Sequence, residues 1–416
     1  MYRSKAAKLL VNTERCPKIN RSADTKDSPL VSNPNSFSHL NSADTKDSPL
    51  VSNPNSFSHL NESWHSGIEK FPSLAIHKLS GTNLLPKKTS RMERVTIDPK
   101  DVHIKKYGKV HVFVANSTAG PMKIKNEDMV RVVLNIKRPE NFINEIWPQS
   151  SYFALYDGQG GKTCAAYLKE HLHAYIFTDG DFPYKPKSAL TNGFLKADKE
   201  FSKYAEEIND FSGSCALITL IIGNKCFVAN TGDSKAILST DFGQNVLALS
   251  KEHKPFNETE HMRILQNGGE LKSNYIIDSS GFKIEKGSYK IMPGNIPISR
   301  SLGNIHAKLE KFGGNPKIHI PDPEIKSFKI RQNYDFILMC SFGILEKFSI
   351  KETVELVWRG IYECELENIQ EKIANGISVL MNEAVSLRCE DNITVVLIGF
   401  KNLTGPFNKV SKNVCS

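Results

Sequence analysis

A chain of 416 residues, 39% hydrophobic and 24% charged, is a globular mixture with room for one large domain or two to three ordinary ones. Its longest apolar run, residues 216–222 interrupted by Thr219, is far too short to cross a bilayer, which excludes an integral helical membrane protein. Formal net charge is +9, but the first 90 residues hold 12 Lys/Arg against 7 Asp/Glu, and the modest excess left over the remaining chain argues against a nucleic-acid partner.

The chain opens with a basic, polar tail, expected over residues 1–90. Within it, residues 22–41 read SADTKDSPLVSNPNSFSHLN, and residues 42–61 repeat that segment without a change. Two copies of a Ser-, Asn- and Pro-rich unit cannot stack into a repeat core, so the tail is expected to be disordered. The duplication reads as an unconstrained tandem copy, with doubled docking or phosphorylation around Ser28-Pro29 and Ser48-Pro49 as the alternative. No apolar leader core follows the basic N-terminus, and none of the eight cysteines forms a Cys-x-x-Cys pair. A reducing, intracellular setting is therefore expected, cytoplasmic or nuclear rather than secreted.

Patterned sequence begins near residue 91. Residues 111–114 and 129–134 are β-branched and apolar, hence strands. Residues 152–156 form a strand that runs into Asp157-Gly158. Ala165, Leu168 and Leu172 mark a helix over 162–177. Residues 215–222, Gly223-Asn224 and residues 226–230 make a hairpin, continued by a strand at 236–238. A helix over 259–266 stops at Gly268-Gly269. Residues 336–340 and 393–400 are strands. Between them, Ser349 to Glu352 is a capping box opening a helix, and Ile369, Ile373, Ile377, Leu380 and Ala384 mark a longer one. Strands in hairpin-linked groups and helices in separate blocks predict an α+β class over residues 91–404, followed by a short tail at 405–416. No glycine-rich phosphate loop follows a strand.

The chemistry-bearing residues are carboxylates at strand ends: Glu127-Asp128, Asp157, Asp233 and Asp391. Hard divalent cations take oxygen ligands, so carboxylates gathered at one edge of a sandwich could hold them. Each pair alone also fits an ordinary turn.

The order of the blocks adds to this. Lys125 to Asp128 is followed by Phe153-Ala-Leu-Tyr-Asp-Gly-Gln-Gly-Gly161, Gly213-Ser-Cys-Ala216 and Val228-Ala-Asn-Thr-Gly-Asp-Ser-Lys235. Then come Glu252-His-Lys-Pro255, Pro297-Ile-Ser-Arg-Ser-Leu-Gly303, Cys340-Ser-Phe-Gly343 and Glu390-Asp-Asn-Ile-Thr-Val395. The series resembles the metal-dependent Ser/Thr protein phosphatases of the 2C type, over roughly residues 91–404. The resemblance implies a four-layer α/β/β/α sandwich, two antiparallel sheets flanked by helix pairs, with Mg²⁺ or Mn²⁺ at one edge. It implies that Asp157 bridges two metals, that Glu127 and the Gly158 carbonyl serve the second and Asp391 the first. It also implies that Asp128 partners a metal-bound water, that Asp233 attends a looser third ion and that Lys123 lies near a phosphate-binding arginine.

The match fails at two positions that matter. Phe342 stands where the family has a metal-ligating aspartate, and a phenyl ring has no lone pair to give. Gln159 stands where the family has a histidine that resembles a general acid, and an amide cannot release a proton near pH 7. Lys123 keeps the charge of the family's arginine but not its bidentate fork. Asn304 and Lys235 are milder departures. His253 and Arg300 read as structural. At most one well-formed metal site is expected, and no intact catalytic group. The expected function is that of a catalytically impaired or inactive pseudophosphatase, a monomer acting through interaction with a phosphoprotein or other protein partner, without a membrane or nucleic-acid ligand. The alternative is a weakly active Mn²⁺- or Mg²⁺-dependent phosphatase.

Limited proteolysis tests the boundary: a resistant core should begin near residue 91, and protection of residues 22–61 would contradict the expected disorder.

Overall fold

The computed structural model describes residues 108–138, 147–277, 280 and 282–404. The expected tails at 1–90 and 405–416, the duplicated segment and the first residues of the expected domain lie outside the described residues. In chain order the elements are strands β1 (Val112–Thr118), β2 (Met129–Val133), β3 (Ser150–Tyr156) and β4 (Gly158–Gln159), then helices α1 (Thr163–Phe177) and α2 (Pro186–Glu207). Next come β5 (Gly213–Ser214), β6 (Ala216–Ile222), β7 (Lys225–Thr231), β8 (Lys235–Thr240), β9 (Asn245–Ala248) and helix α3 (Glu258–Gln266). The hairpin β10 (Glu270–Ile277) and β11 (Lys283–Met292) precedes β12 (Leu302–Gly303) and the short helix α4 (Ile305–Lys308). Strands β13 (Glu324–Lys329) and β14 (Tyr334–Cys340), helices α5 (Phe342–Leu345), α6 (Ile350–Glu363) and α7 (Ile369–Ser386), and strand β15 (Ile393–Gly399) complete the set.

Two five-stranded antiparallel sheets carry the architecture, ordered β1-β15-β14-β8-β9 and β13-β7-β6-β3-β2. Their central strands are buried on both faces, which is why they read as unbroken apolar runs rather than as alternating ones. On β3, Phe153 and Leu155 enter the core between the sheets, while Tyr152, Ala154 and Tyr156 face helices α1 and α2. On β14, Ile337 and Met339 point to the inter-sheet core, and Phe336, Leu338 and Cys340 face α6 and α7. The two-residue period thus assigns each strand to two cores at once and produces the α/β/β/α layering.

Helix α6 opens as expected: the Ser349 hydroxyl accepts from the Glu352 N–H, and the Glu352 carboxylate accepts from the Ser349 N–H. The 22-residue helix α2 is an element that the sequence-based reading left unassigned. Leu190, Phe194, Ala197 and Phe201 supply its buried face, and Pro186 fits its first turn, where no N–H partner is needed. The hairpin β10–β11 is a second element that the sequence pattern did not announce. The six cysteines among the described residues are free and buried.

The connection from α3 to the Arg300 loop is tied by one carboxylate. Glu260 accepts from Arg300 Nη2, from Arg263 Nη2 at 2.6 Å and from the Ser299 hydroxyl at 2.6 Å. Burial pushes its acidity toward the neutral form, but the Arg300, Ser299 and Arg263 hydrogen bonds prevail and hold its pKa at about 2. A depressed carboxylate contributes stability above its unfolded pKa and loses it as pH falls through the folded value. Acid unfolding between about pH 4.5 and pH 2 should therefore carry a Glu260 component. Glu260→Gln should remove that component and cost about 3 kcal/mol at pH 7, because two arginines are left without their counter-charge. Urea titrations at a series of pH values measure both.

Candidate metal centre

Strand register alone brings the acidic residues together. Met129 pairs with Tyr156, so Asp128 and Asp157 leave neighbouring strands at the same end. Ala216 pairs with Thr231, which places Cys215 beside the Gly232-Asp233 turn. Cys340 pairs with Val395, which sets Phe342 and Asp391 at the matching end of the other sheet. The two ends are sewn together by Thr394, whose hydroxyl donates to Asp128 Oδ2 at 2.6 Å and whose N–H donates to the Ser341 hydroxyl at 2.9 Å.

The loop before β2 is held by Asn392. Its side-chain oxygen accepts from the Glu127 N–H at 3.1 Å, and its amide nitrogen donates to the Lys125 carbonyl at 3.0 Å. Gly158 lies hard against that loop: a Cβ there would meet the Glu127 carbonyl oxygen at 2.5 Å. Glycine is therefore needed at 158 for close approach. A small sheet ordered β12-β5-β4 fixes Gly158 and Gln159 from the other side.

Asp157 sits at the centre and is 7% exposed. Its Oδ2 accepts from the Phe342 N–H at 3.1 Å. Ligand atoms of Asp157, Cys215 and Asp233 lie within 4.8 Å of one another, and the Cys215 thiol donates to Asp233 Oδ1 at 3.3 Å. Burial, then the charges of Asp128, Asp233 and Asp391, push the Asp157 carboxyl well above the usual carboxylate range. Burial also lifts Asp128 to about 7, against the Thr394 hydrogen bond. Such crowding of carboxylates is relieved by protons or by cations.

Two cations are already present, and both are lysines. Lys123 Nζ pairs with Asp391 Oδ1 at 2.8 Å. Burial alone would lower the Lys123 pKa, but the Asp391 hydrogen bond and charge prevail and raise it. The residue expected near a phosphate-binding position is thus engaged with the carboxylate expected to serve the first ion. Lys254 pairs with Asp233 and lies over the Phe342 ring, 4.0 Å from its centroid. A half-buried contact of that kind is worth roughly 1 kcal/mol.

Other sequence-flagged residues have structural partners. His253 Nδ1 accepts from the Gly232 N–H at 3.1 Å, and burial holds the ring neutral with a pKa lowered to about 4. Lys235 pairs with Glu252. Asn304 takes a left-handed conformation (φ 51°) and donates to the Ser301 hydroxyl at 2.7 Å. Gln159 Nε2 is buried without a hydrogen-bond partner. Lys254, Cys215 and Asn392 are the residues whose roles sequence reasoning passed over. Each sits inside a flagged block, but its partner is far away in sequence.

Residues 134–393 match the family model for protein phosphatase 2C, well over half of the chain. The chain belongs to the protein phosphatase 2C family. Protein phosphatase 2C homolog 2 of Hypocrea jecorina is 29% identical over 303 residues, 71% of this chain and 64% of that protein. Probable protein phosphatase 2C 54 of Oryza sativa is 27% identical over 263 residues, 63% of this chain and 65% of that protein. The chain thus spans somewhat under two thirds of the length of these curated relatives. Among solved structures, a C. elegans sex determining protein superposes with a TM-score of 0.58 at 20% identity, over 73% of this chain and 67% of that one. A serine-threonine phosphatase 2C from Toxoplasma gondii gives 0.53 at 17% identity, over 71% and 97%. These likenesses bear out the antiparallel sandwich with flanking helices.

The 2C phosphatases are metal-dependent, so the donor set can be compared with what a hard dication needs. On one side, Gly158 packs against Glu127, and the carboxylates of Glu127 and Asp157 with the Gly158 carbonyl are donors of the oxygen type that Mg²⁺ or Mn²⁺ takes, although the ligand atoms gathered within 4.8 Å among the described residues are those of Asp157, Cys215 and Asp233. On the other side the fit fails. Phe342 contributes a ring, its N–H takes one Asp157 oxygen, Lys123 and the Asn392 N–H take Asp391 Oδ1, and Lys254 takes Asp233. Isothermal calorimetry with Mn²⁺ should show weak uptake of at most one ion, abolished by Asp157→Ala. Two tight equivalents would overturn the ligand assignment.

Proposed function

We propose that this chain carries a protein phosphatase 2C domain with a degenerate metal centre, and that it acts by protein recognition rather than by phosphoester hydrolysis. The observation that carries the reading is Phe342: its backbone N–H reaches Asp157, while its ring, packed under the Lys254 ammonium, offers no oxygen at the position where the family resemblance implies a metal-ligating carboxylate. Gln159 adds to it, because an amide at that position has no proton to give a departing serine or threonine oxygen. General-acid assistance of that kind is typically worth about 10²–10⁴ in rate.

What a bound metal pair supplies in this family is an activated water and charge neutralisation at the phosphoryl group. In this chain the surviving residues have narrower tasks. Glu127, Asp157 and Gly158 can hold one hard cation. Asn392 keeps the Glu127 loop in place, and Asp128, tied to Thr394, is pushed toward its neutral form by burial, with a pKa of about 7. The partner we infer is a phosphoprotein or another protein, met by a monomer inside the cell, in the cytoplasm or nucleus. Neither nucleic acid nor a membrane belongs to the reading, in keeping with the ordinary charge balance outside the first 90 residues. Among the described residues no helix is long and apolar enough to cross a membrane.

The retained oxygen set favours a second reading, a weak Mn²⁺- or Mg²⁺-dependent Ser/Thr phosphatase. Hydrolysis of a phosphothreonine peptide with Mn²⁺ decides between them. Turnover is expected at or near background. Phe342→Asp with Gln159→His should restore more rate than either change alone, without the two gains needing to multiply. Turnover by the unaltered protein at a rate ordinary for the family, lost in Asp157→Ala, would establish the second reading instead.

A further inference from the structure

The ligand atoms gathered most closely at this edge, among the described residues, are not all oxygen. Cys215 Sγ, an Asp157 oxygen and an Asp233 oxygen lie within 4.8 Å of one another, and all three residues are buried. Backbone holds them there. The Cys215 N–H donates to the Asp157 carbonyl at 2.8 Å, so the thiol follows the end of β3. The turn at Gly232 brings Asp233 against it: a Cβ at 232 would collide with Cys215 Sγ, and the glycine's φ of 112° is one that other residues rarely adopt. The thiol donates to Asp233 Oδ1 at 3.3 Å. A tetrahedral zinc ion, with bonds of about 2.3 Å to sulfur and about 2.0 Å to oxygen, holds two such atoms about 3.5 Å apart. Lys254 meets Asp233 at its other oxygen, Oδ2, and leaves Oδ1 facing the thiol.

From this arrangement we propose that Asp157, Cys215 and Asp233 form a zinc-class site, one thiolate and two carboxylates that take a borderline-soft dication in preference to Mg²⁺ or Mn²⁺. Coordination number favours it. Three protein donors leave a hard octahedral ion half-supplied, and the nearby Phe342 ring adds no oxygen, whereas zinc needs only three protein ligands and one water. Donor type favours it as well: thiolate sulfur selects zinc, while magnesium and manganese suit carboxylate, carbonyl and water. The thiolate is the ligand, so binding releases the Cys215 proton to solvent. Charge then balances. The thiolate and the two carboxylates are negative, and the ion with the Lys254 ammonium at Asp233 Oδ2 matches them without disturbing that ion pair.

The proposal rests on the reading of the centre as degenerate, but its test reads ligand type rather than turnover. The probe is Co²⁺, a four-coordinate stand-in for zinc whose bond to a thiolate gives a charge-transfer absorption in the near-ultraviolet. It is added to the full chain carrying Cys16→Ser and Cys415→Ser, which removes the two cysteines outside the described residues. One equivalent should produce the band, and Zn²⁺ should displace it while excess Mg²⁺ does not. A further Cys215→Ser should abolish the band and weaken Zn²⁺ binding by more than about 100-fold, a loss that removal of an outer-shell partner can already reach. If Cys215→Ser does not fold, X-ray absorption on the zinc-loaded parent decides: one sulfur at about 2.3 Å supports the site, and oxygen or nitrogen alone overturns it. A missing band, or a band that survives in folded Cys215→Ser, also overturns it. Phosphopeptide turnover by the unaltered protein with Mn²⁺ would overturn the degenerate-centre reading without changing the cobalt spectrum, so the two failures are distinguishable.

Discussion

Electrostatic repulsion among aspartates at one end of the sandwich is the constraint around which the site is arranged. Asp128, Asp157 and Asp233 are each less than a tenth exposed, and the charge of Asp391 is close enough to help raise the pKa of the first two. Two full charges separated by 4.8 Å, the span that encloses the Asp157 and Asp233 oxygens, repel by about 3 kcal/mol at an effective dielectric of ~20. Few folds have stability to spare for several such terms. The surroundings answer by pushing the innermost carboxyls toward their neutral form, by setting lysines on the outer pair and by aiming the Phe342 N–H inward. The sheets do not cause this crowding by accident. Register in both sheets, and the Thr394 bridge between them, deliver the carboxylates to one place.

The same register explains why much of the fold was legible in the sequence. Strands β3, β6, β14 and β15 are buried on two faces, so they appear as continuous apolar runs with Gly, Asp or Asn at their ends. The capping box at Ser349 is local chemistry and announces its helix directly. Helix α2 escapes a simple pattern search because Gly193 and several lysines interrupt an apolar stripe whose spacing is nonetheless helical. In the β10–β11 hairpin the sequence is polar and uneven, with a register shift between Lys272 and Asn274, so no alternation reveals it.

For the centre, the strand-end carboxylates and the two family-pattern failures, Phe342 and Gln159, were visible as residue types in order. What the sequence withheld was pairing through space. Nothing in the Glu252-His-Lys-Pro segment says that its lysine will meet a phenylalanine 88 positions later, or that Asn392 will clasp the backbone of Lys125 and Glu127. Those contacts depend on how two sheets meet, and that is decided by the core between them, where Phe153, Leu217, Ile337 and Val396 pack. A site assembled across a sandwich can therefore be suspected from a sequence, but its charge balance becomes readable only in three dimensions.

The tight passage at Gly343 bears on how such a centre can change its chemistry. A Cβ at 343 would lie 2.1 Å from the Asn392 carbonyl oxygen, so the chain following Phe342 is pinned against the start of β15. The link from residue 342 to Asp157 is likewise made by backbone, through an N–H that any residue except proline would present. Position 342 is therefore a socket: the main chain is held in place from both sides, and only the side chain is free to differ. A carboxylate and a phenyl ring can occupy it in turn without moving the strands that frame it. What the centre offers at that position can therefore change by exchanging what is plugged in rather than by rebuilding the wall around it.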